Sequence, residues 1–156
     1  KLFYAEIIPF IKKTNSRDSY FELLLKLATR ECSLNSDFLF RILSELSLSN
    51  RDIFWTTYIN DHYYKSYLLF NVVSFYSNFD SLNYTENECR LALQLLIFML
   101  SSTNRELRDI ASRAIVKILQ YRFKFIEWSL KRFENINDFY ILLIFCATIN
   151  YIFFLF

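Results

Sequence analysis

Leu107-Arg108-Asp109-Ile110-Ala111-Ser112-Arg113-Ala114-Ile115 decides how this chain folds. With Ile118 and Leu119 added, Leu107, Ile110, Ala111, Ala114 and Ile115 recur at the i, i+3, i+4, i+7 spacing of one helical face. The two alanines carry almost no side chain, so a neighbouring helix can approach closely there. Arg105, Arg108, Asp109, Arg113 and Lys117 fall elsewhere, in water or in a polar ladder between helices. Asp109 stands four residues after Arg105 and four before Arg113, so it can bridge either, a contribution of a few tenths of a kcal/mol per pair.

Composition extends the helical reading to the whole chain. Its 156 residues suffice for one domain with a sizeable core, and they contain no glycine and one proline. Tight hairpins, phosphate-cradling loops, dinucleotide fingerprints and nucleophile elbows all need glycine, so each is excluded. Helices tolerate its absence best, because they use glycine mainly beyond their C-termini. Aromatic residues make up 20%, with 18 Phe and 11 Tyr, an excess that an AT-rich coding genome also produces. The 18 basic and 16 acidic residues leave a net charge of +2, too balanced to imply a nucleic-acid partner. Cys32, Cys89 and Cys146 form no CxxC pair and sit in apolar patterns, which predicts reduced core residues and suits the cytoplasm.

Outward from the deciding stretch, start signals and apolar spacing lay out about eight or nine helices. Residues 2–13 read as a helix kinked at Pro9. Residues 18–29 place Tyr20, Leu23, Leu24, Leu27 and Ala28 on one face, and Asn35-Ser36-Asp37 caps a helix carrying Leu39, Ile42, Leu43 and Leu46. Ser49-Asn50-Arg51-Asp52 caps a short helix around Trp55, and Asn60-Asp61-His62 reads as a turn. Residues 63–79 form one or two helices. Thr85 with Glu88, and Thr103 with Glu106, have the spacing of capping boxes. A helix around Phe125, Trp128 and Leu130 follows, and Asn135-Ile136-Asn137-Asp138 precedes an apolar run to Phe156.

No constellation for chemistry stands out. His62 is the one histidine, so a histidine-based metal site is excluded, and no nucleophile accompanies Asp61-His62. Trp55 beside Asp52 and Phe54 reads as a packing anchor. Lys117, Arg122, Lys124, Lys131 and Arg132 alternate with Tyr121, Phe123, Phe125 and Trp128. Charge and rings could serve nucleic acid, but on a helix they spread over several faces, which fits a basic outer rim. The 18 uncharged residues 139–156 have the minimum length of a membrane span, with Asn150 inside and no basic cluster after them. A buried terminal helix is the preferred reading, and a membrane-associated protein with a C-terminal transmembrane helix is the alternative.

Residues 107–115 read apolar-Arg-x-x-Ala-x-x-Ala-apolar, the pattern of the second helix of a HEAT-type repeat. The expected fold is all-α: an α-solenoid of HEAT-like antiparallel helical hairpins, one helical-repeat domain over residues 1–156, expected to be part of a larger protein. Solenoids bind macromolecules on extended surfaces and seldom carry out chemistry. Three segments carry a closer resemblance. They are Arg51-Asp52-Ile53-Phe54-Trp55-Thr56-Thr57-Tyr58-Ile59-Asn60, the stretch from Ser101-Ser102-Thr103-Asn104-Arg105 through Val116, and Phe133-Glu134-Asn135-Ile136-Asn137-Asp138-Phe139-Tyr140-Ile141. In this order they resemble the helical-repeat sensor region of bacterial antiphage STAND NTPases of the Avs class, where a Ser/Thr-Asn-Arg-x-Leu-Arg-Asp-x-Ala-Thr-x-Ala segment precedes Asn-Asp-Pro-Tyr-Val. Phe139 stands where that family has proline, Leu143 and Ile144 where it has a charged pair, and Tyr151 where it has glycine. The resemblance implies a parent with an N-terminal effector, a central ATPase and a C-terminal sensor. The sensor would bind a phage protein such as terminase or portal, and binding would drive self-association. This chain would lie on the sensor side, without catalysis or cofactor. Arg105, Arg108, Asp109, Arg113 and Lys117 are then the candidates for partner binding or for ties between repeats.

Overall fold

The computed structural model describes residues 14–65, 67–78 and 81–155, and these are helical with no strand among them. The expected helix at residues 2–13 lies outside the described residues. Helix α1 (Thr14–Leu27) buries Phe21, Leu24 and Leu25, and Ala28 directly after it is buried too. The expected face shares Leu24 and Ala28 with the observed one but is rotated: Leu23 is 43% exposed. Phe21 decides the rotation, because its ring packs 5.5 Å from Trp55 and 5.0 Å from Tyr58.

Helix α2 (Ser36–Glu45) begins at the Asn35 cap, whose side-chain oxygen accepts from the Asp37 amide at 3.0 Å. The next helix starts earlier than its sequence suggests. Ser47, not the Ser49–Asp52 group, caps α3 (Leu48–Arg51), which passes through a π-helical segment (Asp52–Thr56) into α4 (Thr57–Tyr63). Asn60-Asp61-His62, expected as a turn, is therefore helical. The His62 ring stacks on Tyr58 with centroids 4.5 Å apart, and its Nε2 lies 3.4 Å from Asp18. Those partners, one on α1, hold polar residues in a helix where sequence signals favour a break.

Helix α5 (Tyr67–Ser77) and a 3₁₀ turn (Ser81–Asn83) lead to α6 (Glu86–Met99), where the Thr85–Glu88 capping box is formed. Every residue of α6 from Leu91 to Met99 is buried, Gln94 included. Helix α7 (Arg105–Leu119) buries the seven apolar residues that its spacing selects. Its cap is Asn104, which accepts from the Leu107 amide; Thr103 instead accepts from the Asn60 side chain. The expected Thr103–Glu106 box thus gives way to a tertiary bond. Helices α8 (Lys124–Phe133) and α9 (Phe139–Leu155) complete the chain. Leu130, expected in the α8 core face, is exposed, and Phe125, Ser129 and Phe133 are buried in its place.

Helix α7 lies at the centre, packed against α5, α6, α8 and α9, while α2 lies on α6 and α1 on both α2 and α5. Helix α9 buries Ile141, Phe145, Ile149 and Ile152 and exposes Leu143, Tyr151, Phe153 and Phe154. No helix among the described residues is long and apolar enough to cross a membrane. Cys89 is buried, but Cys32 and Cys146, expected in the core, are exposed; all three are free thiols. Cys32 lies in the turn between α1 and α2 beside Arg30 and Glu31, and Cys146 lines an open groove between α8 and α9.

The core holds several phenols. Burial pushes Tyr20 and Tyr63 up to about 12, pushes Tyr58 further in the same direction, with Glu22 and Asp18 adding to it, and raises Tyr76 as well. Each folded value lies above the ordinary 10.0, so the neutral phenols favour the fold fully below pH 10, and that contribution is lost as pH rises toward 12 and beyond. We expect helix loss by circular dichroism in that window, with tyrosinate absorbance rising at the same midpoint. Tyrosinate forming near pH 10 with the helices intact would contradict it.

Candidate functional site

The three segments singled out by the sequence converge. Trp55, wholly buried, donates its indole N–H to the Phe98 carbonyl at 3.0 Å and so pins the π-helical segment to the end of α6. The π turn is supported from within: the Thr57 hydroxyl donates to the Asp52 carbonyl at 3.0 Å, five residues back. Next to Trp55, Thr56 donates to Ser101 at 3.3 Å. Asn60 accepts from the Ser102 hydroxyl and the Thr103 amide and donates to Thr103 at 2.9 Å. The loop between α6 and α7 is thereby held against one face of the π-helical segment and α4.

The third segment joins from the other side. Arg51 is 1% exposed, and its Nε lies 3.7 Å from Asp138. Its Nη1 donates to the Leu43 carbonyl at 3.4 Å and its Nη2 to the Asn137 carbonyl at 3.3 Å. Burial lowers the affinity of this guanidinium for its proton, and Asp138, then Asp52, raise it again. Asp138 also accepts from the Ile141 amide at 3.2 Å, the usual satisfaction of an orphan donor at a helix start.

Between these pieces runs an open groove of about 910 Å³. Leu48, Asp52, Thr56, Thr57 and Asn60 line one wall, Ser101, Thr103 and Arg108 the floor, and Asn137, Asp138, Phe139 and Tyr140 the other wall. Arg108 donates to the Ser102 carbonyl at 2.7 Å, with its guanidinium 6.0 Å from the Tyr140 ring. Phe139 is 86% exposed and Tyr140 is 44% exposed. The groove thus offers two aromatic rings, an aspartate and an arginine to an incoming surface. Aromatic and arginine side chains are the usual anchors of protein interfaces.

Of the five residues read from the α7 spacing, Arg108 lines this groove. Arg105 and Asp109 form an exposed pair at 3.6 Å, Arg113 is exposed, and Lys117 is half-buried. The basic residues between 122 and 132 have partners within the fold. Arg122 donates to the Tyr84 carbonyl, Lys124 pairs with Glu86, Lys131 with Glu127, and Arg132 bonds to Gln94 and Asp37. Sequence reasoning did not select Asn60, Thr103 or Tyr140. Their signal is that they lie in or beside the three segments; their roles depend on partners some 40 residues away. Among the described residues, no group of three or more His, Cys, Asp or Glu could hold a metal ion. Compared with known proteins, the chain matches no family model, no curated sequence and no solved structure.

Proposed function

We propose that this chain is a protein-recognition helical-repeat region, without catalysis of its own, and that the groove framed by Asp52, Arg108, Phe139 and Tyr140 is where its partner docks. The observation that carries the reading is the convergence of the three segments on that groove, with two exposed rings at its rim. The row of α5, α7 and α9, each packed on the next, supports a HEAT-like solenoid. The motif order supports a parent of the antiphage STAND NTPase class, working in the cytoplasm. In that reading the docked partner is a phage protein such as terminase or portal, and docking promotes self-association of the parent.

Phe139→Asp tests the groove, because an acidic residue at a helix start suits the helix dipole and leaves the fold intact. The intact parent is expected to retain a purified terminase large subunit or portal protein, and the variant to bind about tenfold or more weakly, the loss typical of one interface anchor. A parent that retains neither protein, or a variant that binds as the parent does, overturns the assignment. The aromatic outer face of α9 favours a second reading, attachment to a membrane surface. Flotation of the full chain with phosphatidylcholine vesicles would support that instead.

A further inference from the structure

Away from the groove, α2, α6 and α8 meet around an acidic residue with too many cations. Arg90 grips Asp37 with both terminal nitrogens, at 2.9 and 2.7 Å. Gln94 donates to the Asp37 carboxylate at 3.3 Å, and Arg132 reaches the same oxygen at 3.4 Å while its Nε donates to Gln94 at 3.1 Å. The Arg90 hydrogen bonds, more than any other influence, hold the Asp37 carboxyl below its ordinary range, and Gln94 and Arg132 add to the effect. Asp37 therefore stays ionised, and one of its oxygens accepts from Arg90, Gln94 and Arg132 together.

The arginines are preorganised as well as charged. The Arg132 guanidinium lies 4.0 Å from the Phe40 ring, that of Arg90 5.5 Å from Trp128, and that of Arg41 5.5 Å from Phe38. Stacking on rings fixes the plane of a guanidinium; the terminal nitrogens of Arg90 are held by Asp37 and Asn87, so Arg90 contributes chiefly charge, and Arg41 and Arg132 stand beside it. Arg41 stands one turn after Asp37 on α2, and Asp37, Arg90 and Arg41 all act on the charge of Arg132, so three guanidiniums lie near one carboxylate, a surplus of two positive charges. An arginine cannot shed its proton to relieve the repulsion. Arg132 and Arg90 keep 35% and 24% of their side chains in solvent, and Arg41 is exposed.

We propose that Arg41, Arg90 and Arg132 form an anion site for a phosphate-type dianion. A phosphate monoester carries about −1.5 to −2 at neutral pH, which matches the surplus, and planar guanidiniums bind its oxygens bidentately. Asp37 and Gln94 are positioning residues that hold the two inner arginines in place, Asp37 by bridging both. This inference does not depend on which protein docks in the groove. The shared chemistry is the phosphate dianion, whether free or esterified to a protein side chain.

The test uses the full chain and inorganic phosphate, followed by thermal unfolding and by phosphorus NMR, against sodium chloride of equal ionic strength. Phosphate is expected to stabilise the chain beyond the chloride control and to show saturable line broadening. Arg41→Ala, at an exposed position, is expected to weaken phosphate binding about tenfold. Asp37→Asn, which raises the surplus, is expected to tighten it, provided that circular dichroism shows native helix content. Phenyl phosphate binding more tightly than inorganic phosphate would assign the site to esterified phosphate, and the reverse order to the free ion. Stabilisation no greater than with chloride, or binding unchanged in Arg41→Ala, overturns the proposal.

Discussion

Trp55→Ala is expected to destabilise the fold by about 3–5 kcal/mol, the cost of deleting a large buried aromatic side chain. Domains of this size are stable by only about 5–15 kcal/mol, so the variant should sit near its unfolding threshold. The reason is position. Trp55 is 0% exposed, its ring meets Phe21 edge-on, and its N–H ties the π-helical segment to the carbonyl at the end of α6. Truncation leaves a cavity where α1, α4 and α6 meet and releases the wall of the groove. Trp55→Phe separates the two contributions. It keeps most of the packing and loses the hydrogen bond, but the Phe98 carbonyl still accepts from the Ser101 hydroxyl at 2.9 Å, so the expected cost is about 1 kcal/mol. Urea titrations read by circular dichroism check both. A loss under about 2 kcal/mol for the alanine variant would mean that the site collapses around the missing ring.

Asp138→Asn is expected to cost about 3–5 kcal/mol, although it changes only one atom type. Asparagine retains the cap on α9, so the loss is chiefly that of the charge. It leaves Arg51, which is 1% exposed and cannot deprotonate, with carbonyls at 3.3 and 3.4 Å and only the weaker influence of Asp52. Arg51→Met is expected to cost less, since the remaining carboxylate still serves as an anionic cap at a helix N-terminus. The double variant Arg51→Met/Asp138→Asn should recover most of the Asp138→Asn loss, because no charge is then left unpaired. A double-mutant cycle by chemical denaturation checks the coupling; additive effects would show that the pair at 3.7 Å contributes no mutual stabilisation. Asp138→Asn should also loosen the groove, whose far wall begins at that cap.

The residues that specify helices locally were legible. Thr85 and Glu88 form their box because both partners lie within one turn, and Asn35 caps because its oxygen needs only the amide two residues on. The buried face of α7 follows from spacing alone, since apolar and charged residues alternate there with the helical period. Where one side chain had a choice of partners, local rules did not suffice. Thr103 has the spacing of a cap, but Asn60 occupies it from 43 residues away. Leu23 and Phe21 are both apolar, and the rings of Trp55 and Tyr58 select Phe21. Asn60, Asp61 and His62 look like a turn, yet contacts with α1 and the loop before α7 keep them helical.

The same division holds for the candidate sites. Linear order marks the segments 51–60, 101–116 and 133–141 as distinctive, but nothing in it says that they share a groove. Their convergence depends on the Arg51–Asp138 pair and the Asn60 bonds, long-range contacts between groups whose sequence neighbours do not specify them. The arginine cluster was less visible still: Asp37, Arg90 and Arg132 are 53 to 95 residues apart in their bonds to one carboxylate. Helix class, most starts and the buried face of α7 are properties of neighbouring residues, so the chain order carries them. Which helices adjoin, and which charges they bring together, is settled only when the apolar faces pack, because burial then chooses among partners that are equivalent in the sequence.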